Sequence, residues 1–389
     1  QMNRLISRKM VLLSVLILSV LTSASCWDRI EMDTLTIVTG ICLDKAENGE
    51  IKITMQVGEV ESESGGQSEK KTANSSFYMV SSTGGTLHSC VTKIQEQNNG
   101  ELFLSQNQIV IISSELAAGG IDNYMDYFLR DRDYRLDQFL LISEGNAVDI
   151  LKEEVEKGEI PALTLTDMIK IRKAVSKSLT VNVREFIDKY LDESTAPVIP
   201  IIKTKKDGEK TKFIFDGMGV IKDGKLIGKL DQDQTDGYQW IMGTMRKTDL
   251  DIVTADGKIS ILVTGENLKT SVVLNDDNGV SVYLDIEAML NIEEITGFKG
   301  AKLKDIVDII QEEAPTLING YISDCFSQSI SLNADVFEFG HKIHHQHKKR
   351  WKEIKDSWDE IYPKTRLYSS VKVKVTESGS AGNSLDMEQ

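Results

Sequence analysis

Cys26 has the clearest chemistry in its surroundings. It closes Ser23-Ala24-Ser25-Cys26, behind a basic start (Arg4, Arg8, Lys9) and an apolar run from Met10 to Leu21. A basic segment, an apolar stretch of about 7–15 residues and a small-residue site describe a secretory signal. The run is short of the ~20 apolar residues that span a hydrocarbon core. A cysteine directly behind two small residues is where a bacterial lipoprotein carries its acceptor thiol. The sulfur takes a diacylglyceryl group, and cleavage leaves Cys26 first. Two acyl chains hold a protein stably on a bilayer where one does so only marginally. Ser23 stands where Leu is usual. The competing reading is an ordinary signal with a cysteine there by chance. We expect a signal peptide at 1–25, lipidation at Cys26, and membrane lipid as a partner.

Other candidate chemistry is weaker. His341 and His345 are one helical turn apart and could share an ion. No HExxH frame accompanies them, and a third ligand would have to come from elsewhere, so no metal is assigned. His347 falls on an apolar stripe and is expected to be packed. Lys342, Lys348, Lys349, Arg350, Lys352 and Lys355 face one acid, Glu353, within 341–355. The favoured reading is the solvated face of an amphipathic helix; the alternative is a contact for an anionic headgroup or an acidic partner loop. A calcium loop starting at Asp231 would need Gly at position 236 and Glu at 242, where Asp236 and Met242 stand. The stretch Ser378 to Gly382 lacks the first Gly of a nucleophile elbow. There is no P-loop and no dinucleotide fingerprint. No catalytic residue, enzyme activity or cofactor is assigned.

The elements that would position these residues follow from periodicity. Residues 34–44 and 51–60 are β-rich, with a hairpin turn at Glu47-Asn48-Gly49-Glu50. The polar stretch Glu61 to Ser76 is expected to be a loop. Leu87, Val91 and Ile94 predict a helix, residues 108–114 a buried strand, Ile121, Met125 and Phe128 a helix. Residues 137–143 predict a strand, and Val148, Leu151 and Val155 another helix. Alternating strands and helices imply parallel pairing. Residues 213–230 predict two strands around Lys222-Asp223-Gly224-Lys225, and 233–242 a short helix. Three strands are expected near 250–253, 259–266 and 280–292. Leu303, Ile306, Ile310, Ala314, Leu317, Tyr321, Cys325 and Phe326 share a helical face, with a kink or fresh start at Pro315. Phe339, Ile343, His347, Trp351, Ile354, Trp358 and Ile361 form a second stripe at 3.6 spacing. A final strand spans 367–375.

The fold class is therefore α+β and multidomain, with two to three domains, mixed β-sheets and a C-terminal domain carrying long helices. The expected division is an N-terminal α+β region at 26–195, which can split into two subdomains, then a linker at 196–212. A C-terminal α+β domain at 213–376 and a disordered tail at 377–389 follow. At 389 residues the chain exceeds one ordinary core. Its formal charge of −15 disfavours nucleic acid as a partner. Loss of 1–25 would make the charge more negative. Cys42, Cys90 and Cys325 remain beside Cys26; the odd remainder argues against a disulfide framework and for buried thiols.

Three ordered blocks resemble one family. "CWDRIEMDTLTIVTGICLDK" resembles the mature start of Ger(x)C spore germination lipoproteins. "QIVIISSELAAGGIDNYMDYFLRDRDYRLDQFLLISEGNAVDIL" is similar to the family's middle pattern. "NADVFEFGHKIHHQHKKRWKEIKDSWDEIYP", with Ala334-Asp335, Phe339-Gly340, Trp351 and Trp358, is similar to its late block. The resemblance implies a non-enzymatic C subunit of a nutrient germinant receptor. It would be anchored by Cys26 at the outer face of the inner spore membrane, with the receptor's A and B subunits as partners. An extracytoplasmic solute-binding lipoprotein that captures a small nutrient is the alternative.

Overall fold

The computed structural model describes residues 35–58, 77–152, 159–174, 180–208, 210–277 and 279–377. Cys26, the expected signal, the whole of the expected loop at 61–76, Val155 and residues 378–389 lie outside them.

The first strands are β1 (Leu35–Lys45), β2 (Ile51–Gly58) and β3 (Phe77–Gly84), antiparallel neighbours. Gly49, at φ +82°, makes the β1–β2 turn that a side chain would strain. Then come α1 (Leu87–Gln97), β4 (Glu101–Phe103), β5 (Ile109–Ser113), α2 (Ser114–Gly119) and α3 (Asp122–Arg130). β6 (Phe139–Ser143), α4 (Val148–Leu151), α5 (Pro161–Ala174) and α6 (Val183–Tyr190) follow. β7 (Val198–Asp207), β8 (Lys210–Lys222) and β9 (Lys225–Leu230) complete a sheet of order β3-β2-β1-β5-β6-β7-β8-β9, with β4 beside β1. The β1–β5, β5–β6 and β6–β7 pairs are parallel. Central strands buried on both faces need continuous apolar runs, and "IVIIS" of β5 is buried throughout. Val110 and Ile112 join the core under α1, α2, α3 and α6, while Ile109 and Ile111 join the core under α4 and α5.

The expected linker at 196–212 is a correction: most of it is β7 and the start of β8. Its first five residues, Val198 to Ile202, are all buried. Pro200 is tolerated because the β7–β8 register shifts between Pro200 and Ile202. Val198, Met218, Val220 and Leu230 pack into the C-terminal core, Ile199 and Ile221 into one N-terminal core, and Ile202 and Phe213 into the other. The polar composition of 203–212 reflects a strand end that reaches solvent.

The second sheet follows α7 (Gln232–Met242) and has the order β10-β11-β12-β13. β10 is Thr248–Val253, and β11 (Gly257–Leu274) and β12 (Val280–Gly297) run longer than expected. β13 (Arg366–Glu377) pairs with β12 in parallel. Between them lie α8 (Leu303–Ser331), α9 (Phe339–Gln346), α10 (Lys348–Ile354) and α11 (Trp358–Ile361). Two more expectations are corrected here. Of the kink or fresh start expected at Pro315, the fresh start does not occur: α8 runs through Pro315 as one helix. Ile306, Ile310, Ala314, Ile318 and Ile322 are fully buried along its length. That burial outweighs the ~3 kcal/mol of an interior proline, and Gln311, whose carbonyl loses its partner, is exposed. The second stripe is not one helix: it breaks at His347, whose φ and ψ of −133° and 56° leave the helix. His347 is exposed, not packed. The Asp231 segment is no ion loop; its Asp caps α7 by accepting from Gln234 N at 2.9 Å.

Glu266 on β11 has its Oε1 accepting from Met245 N at 2.8 Å, while Oε2 is buried without a hydrogen-bond partner among the described residues. Burial pushes its carboxyl up to about 8. Between the ordinary carboxyl range and pH 8 the folded chain thus holds a proton that the unfolded chain has lost. Stability falls with rising pH there, by at most about 1.4 kcal/mol per pH unit for one group. The carboxylates held below their usual range, such as Asp192 and Asp216, act only at lower pH. Urea unfolding should therefore show stability declining from about pH 5 to 8, and Glu266→Gln should flatten the decline and be the more stable chain at the upper end. A wild-type profile that rises over that range would refute the assignment.

Candidate functional site: the interdomain cleft

A cleft of about 310 Å³ lies where the two sheets' layers meet, between the turn after α6 and the segment joining α8 to α9. Asp192, Ser194, Lys222, Asn333, Asp335 and Tyr362 are among its lining residues. Each belongs to a local structure that the sequence specifies. Asp192 opens an Asx turn: its Oδ1 accepts from Ser194 N at 2.9 Å and Ser194 Oγ at 2.5 Å. Its Oδ2 faces His341 Nδ1 at 2.5 Å. Burial alone would raise the Asp192 carboxyl, but the hydrogen bonds from Ser194 and His341 hold it below its usual value.

Asp335 is buried and receives Phe339 N at 3.1 Å and Gly340 N at 2.7 Å, closing the start of α9. Burial pushes its carboxyl up to about 7 against these backbone donors. Its carbonyl accepts from Ala196 N at 3.0 Å, a direct backbone tie between the halves. Gly340 is required for the approach: a Cβ there would lie 2.5 Å from Ser194 Cβ. Ion pairs surround the tie. Lys189 meets Glu338 at 2.7 Å, Lys222 meets Asp359 at 2.7 Å, and Lys355 meets Glu193 at 3.0 Å. Trp351, Trp358 and Tyr362 pack in sequence behind the cleft.

Serine, aspartate and histidine together invite a nucleophile triad. The order is wrong for one. The carboxylate sits in the middle, the Ser194 hydroxyl donates to Asp192, and Ser194 is buried. A nucleophile needs its base on the hydroxyl itself. The cluster is a clasp holding α9 on the N-terminal half.

His341 and His345 do come together, with ring centroids 4.4 Å apart. The His341 Nδ1 is engaged by Asp192, and no metal-binding group of three or more ligands occurs among the described residues. Cys42, Cys90 and Cys325 are buried free thiols. The motif residues of the sequence blocks have structural roles. Asp44 of β1 accepts from Ala147 N at 2.6 Å and Val148 N at 3.1 Å, fixing the start of α4. Gly40 lets α4 and α5 approach: a Cβ would lie 2.6 Å from Leu151 Cδ1 and 2.8 Å from Ala162 Cβ. Ala334-Asp335, Gly340, Trp351 and Trp358 converge at the cleft. The Asp192 turn is absent from the sequence expectations, although Asp192-Glu193-Ser194-Thr195 carries a turn signal directly before the expected linker.

Residues 28–204 match the spore germination protein N-terminal domain, and residues 216–379 match the spore germination B3/GerAC-like C-terminal domain. The division between these matches falls in the β7–β8 hairpin, inside one sheet. Spore germination protein B3 of Bacillus subtilis (strain 168) is 24% identical, covering 95% of this chain and 98% of that protein. Spore germination protein A3 of the same organism is 23% identical, covering 96% and 99%. The crystal structure of the GerBC protein shares the fold, with a TM-score of 0.56 and 18% identity over 89% of this chain and 99% of that one. With its N-terminal and C-terminal halves both matched, in order, the chain belongs to the GerAC family of spore germination proteins, of the C-subunit type.

Proposed function

We propose that this chain is the lipid-anchored C subunit of a nutrient germinant receptor, held by Cys26 at the outer face of the inner spore membrane beside the A and B subunits. The observation that carries this reading is the family match over both halves of the chain. The clasp supports it, because a body tied across its domains suits an accessory subunit that must keep one shape. Confinement by an anchor raises effective concentration beside membrane partners without a large interface. The subunit would stabilise the receptor assembly and support its nutrient response. Spores carrying Cys26→Ala should release the protein from the membrane fraction and respond weakly to nutrients, while germinating normally with a stimulus that bypasses receptors. A normal nutrient response in a strain lacking the protein would overturn the assignment.

The cleft favours a second reading, solute capture. The buried Trp358 Nε1 and Asn333 Oδ1, in residues that line it, have no hydrogen-bond partner among the described residues. Calorimetry of the full chain with amino acids and sugars tests this. Saturable binding lost in Asn333→Ala would favour capture.

A further inference from the structure

The break at His347 turns α9 and α10 into an elbow. His344 to Arg350 are seven consecutive exposed residues, which the face of a single packed helix would not give. Lys348 and Lys349 stand at the corner with Lys352 close behind, and these three lysines make no ion pair among the described residues. Arg350 meets Glu353 at 3.2 Å and is exposed. No acid lies between His341 and Lys352. By contrast, Lys189, Lys203, Lys222, Lys229 and Lys355 each sit against a carboxylate elsewhere in the chain. In a chain of formal charge −15 this corner concentrates four cations against one nearby carboxylate, Glu353.

The topology puts the start of β1, which follows the expected anchor in sequence, and the turn that holds α9 at one edge of the first sheet. β1, β5, β6 and β7 run parallel, so their N-terminal ends share one edge of the sheet. Leu35 begins β1 at that edge, and nine residues from Cys26 to Leu35 reach at most ~30 Å. The Asp192–Ala196 turn that grips α9 immediately precedes β7, at the same edge. Three strand spacings, about 14 Å, separate β1 from β7. The start of β1 and the turn that holds α9 are therefore neighbours at one sheet edge.

We propose that the α9–α10 elbow, through Lys348, Lys349, Arg350 and Lys352, docks on an anionic bilayer surface and gives the anchored subunit a second point of attachment. This rests on the anchored-subunit reading above for its biological setting. Two attachment points fix the orientation of the body, where an anchor on a leash leaves it free to turn. A cation near an anionic bilayer is worth about fivefold in partitioning.

The test uses the full chain carrying Cys26→Ser, so that no acyl anchor masks the contact. Flotation is compared on vesicles of phosphatidylglycerol mixed with phosphatidylcholine and on phosphatidylcholine alone. The expected result is stronger binding to the anionic vesicles, weakened by added salt. Combined Lys348→Glu, Lys349→Glu and Arg350→Glu should reduce that binding by roughly 100-fold or more. The control reverses Lys269, Lys372 and Lys374 on the second sheet, an equal change in net charge, and should leave most of the binding in place. Circular dichroism confirms folding of both variants. Equal binding to the two vesicle types, or equal loss in the elbow and control variants, overturns the proposal. A germination defect in the elbow variant with unchanged vesicle binding also overturns it, in favour of an acidic protein partner. None of these outcomes depends on lipidation at Cys26, so failure here is distinct from failure of the anchor.

Discussion

Asp335→Ala should destabilise the protein by about 3 kcal/mol. The substitution leaves the amides of Phe339 and Gly340 without their acceptor in a buried site. An unsatisfied buried donor costs about 1–3 kcal/mol, and two are made at once. The buried carboxyl carries its own desolvation penalty, which alanine removes and which partly offsets the loss. That penalty grows from the ordinary carboxyl range up to about 7, the value to which Asp335 is pushed, so urea unfolding near pH 4 keeps the offset small. Asp335→Asn should recover part of the loss, since its Oδ1 can still accept one amide. Because the same residue's carbonyl receives Ala196 N, limited proteolysis should show the two halves of the alanine variant separating more readily. Stability within 1 kcal/mol of wild type would mean that water or a neighbour takes up the two amides.

The second large effect is expected at Gly237 in α7. A Cβ there would lie 2.1 Å from the Tyr321 carbonyl oxygen and 2.8 Å from Cys325 Cβ, both on α8. Backbone cannot give way as a flexible side chain can, so α7 must shift. It carries Trp240, which is fully buried. Overpacking of a tight core typically costs 1–3 kcal/mol and sometimes more, against about 1 kcal/mol gained in helix propensity. The expected outcome for Gly237→Ala is a net loss of at least about 2 kcal/mol. Gly320, in α8 itself, supplies the comparison: a Cβ there meets nothing within 4 Å. Gly320→Ala should stabilise by up to about 1 kcal/mol. If both glycines respond alike in thermal unfolding, the close crossing of α7 and α8 is not what Gly237 serves.

These two sites show how unevenly the molecule is legible. The glycine at 237 was visible only as the end of a failed calcium loop. Nothing local to "DQDQTDG" says that a second helix 84 residues further on will press its carbonyl against that position. Asp335 was visible as part of a recognisable block, and its burial was not. A carboxylate next to Ala334 and Val336 reads as surface until the turn that folds Phe339 and Gly340 back over it is known.

Local pattern by itself determined a good deal. Period-two apolar runs gave β1, β2, β12 and β13, because a half-buried strand face is covered by alternate residues, and short continuous apolar runs gave β5 and β6, which are buried on both faces. The Glu47–Glu50 and Lys222–Lys225 turns followed from Asn-Gly and Asp-Gly, whose backbones accept the positive φ found at Gly49, Asp223 and Gly224. Helical spacing gave α1, α3, α7 and α8, and the apolar surroundings of Cys42, Cys90 and Cys325 gave three buried thiols. Tertiary structure decided the rest. It made a strand of the polar, proline-bearing stretch at 198–207, because three cores needed that surface covered. It carried α8 through Pro315, because burial along a 29-residue face exceeds one missing hydrogen bond. It bent the last stripe at His347 so that Trp351 and Trp358 could turn inward, and so raised four cations on a corner. It also brought Asp192, His341 and Asp335 together across some 150 residues, a meeting that depends on packing between layers and that no local periodicity encodes.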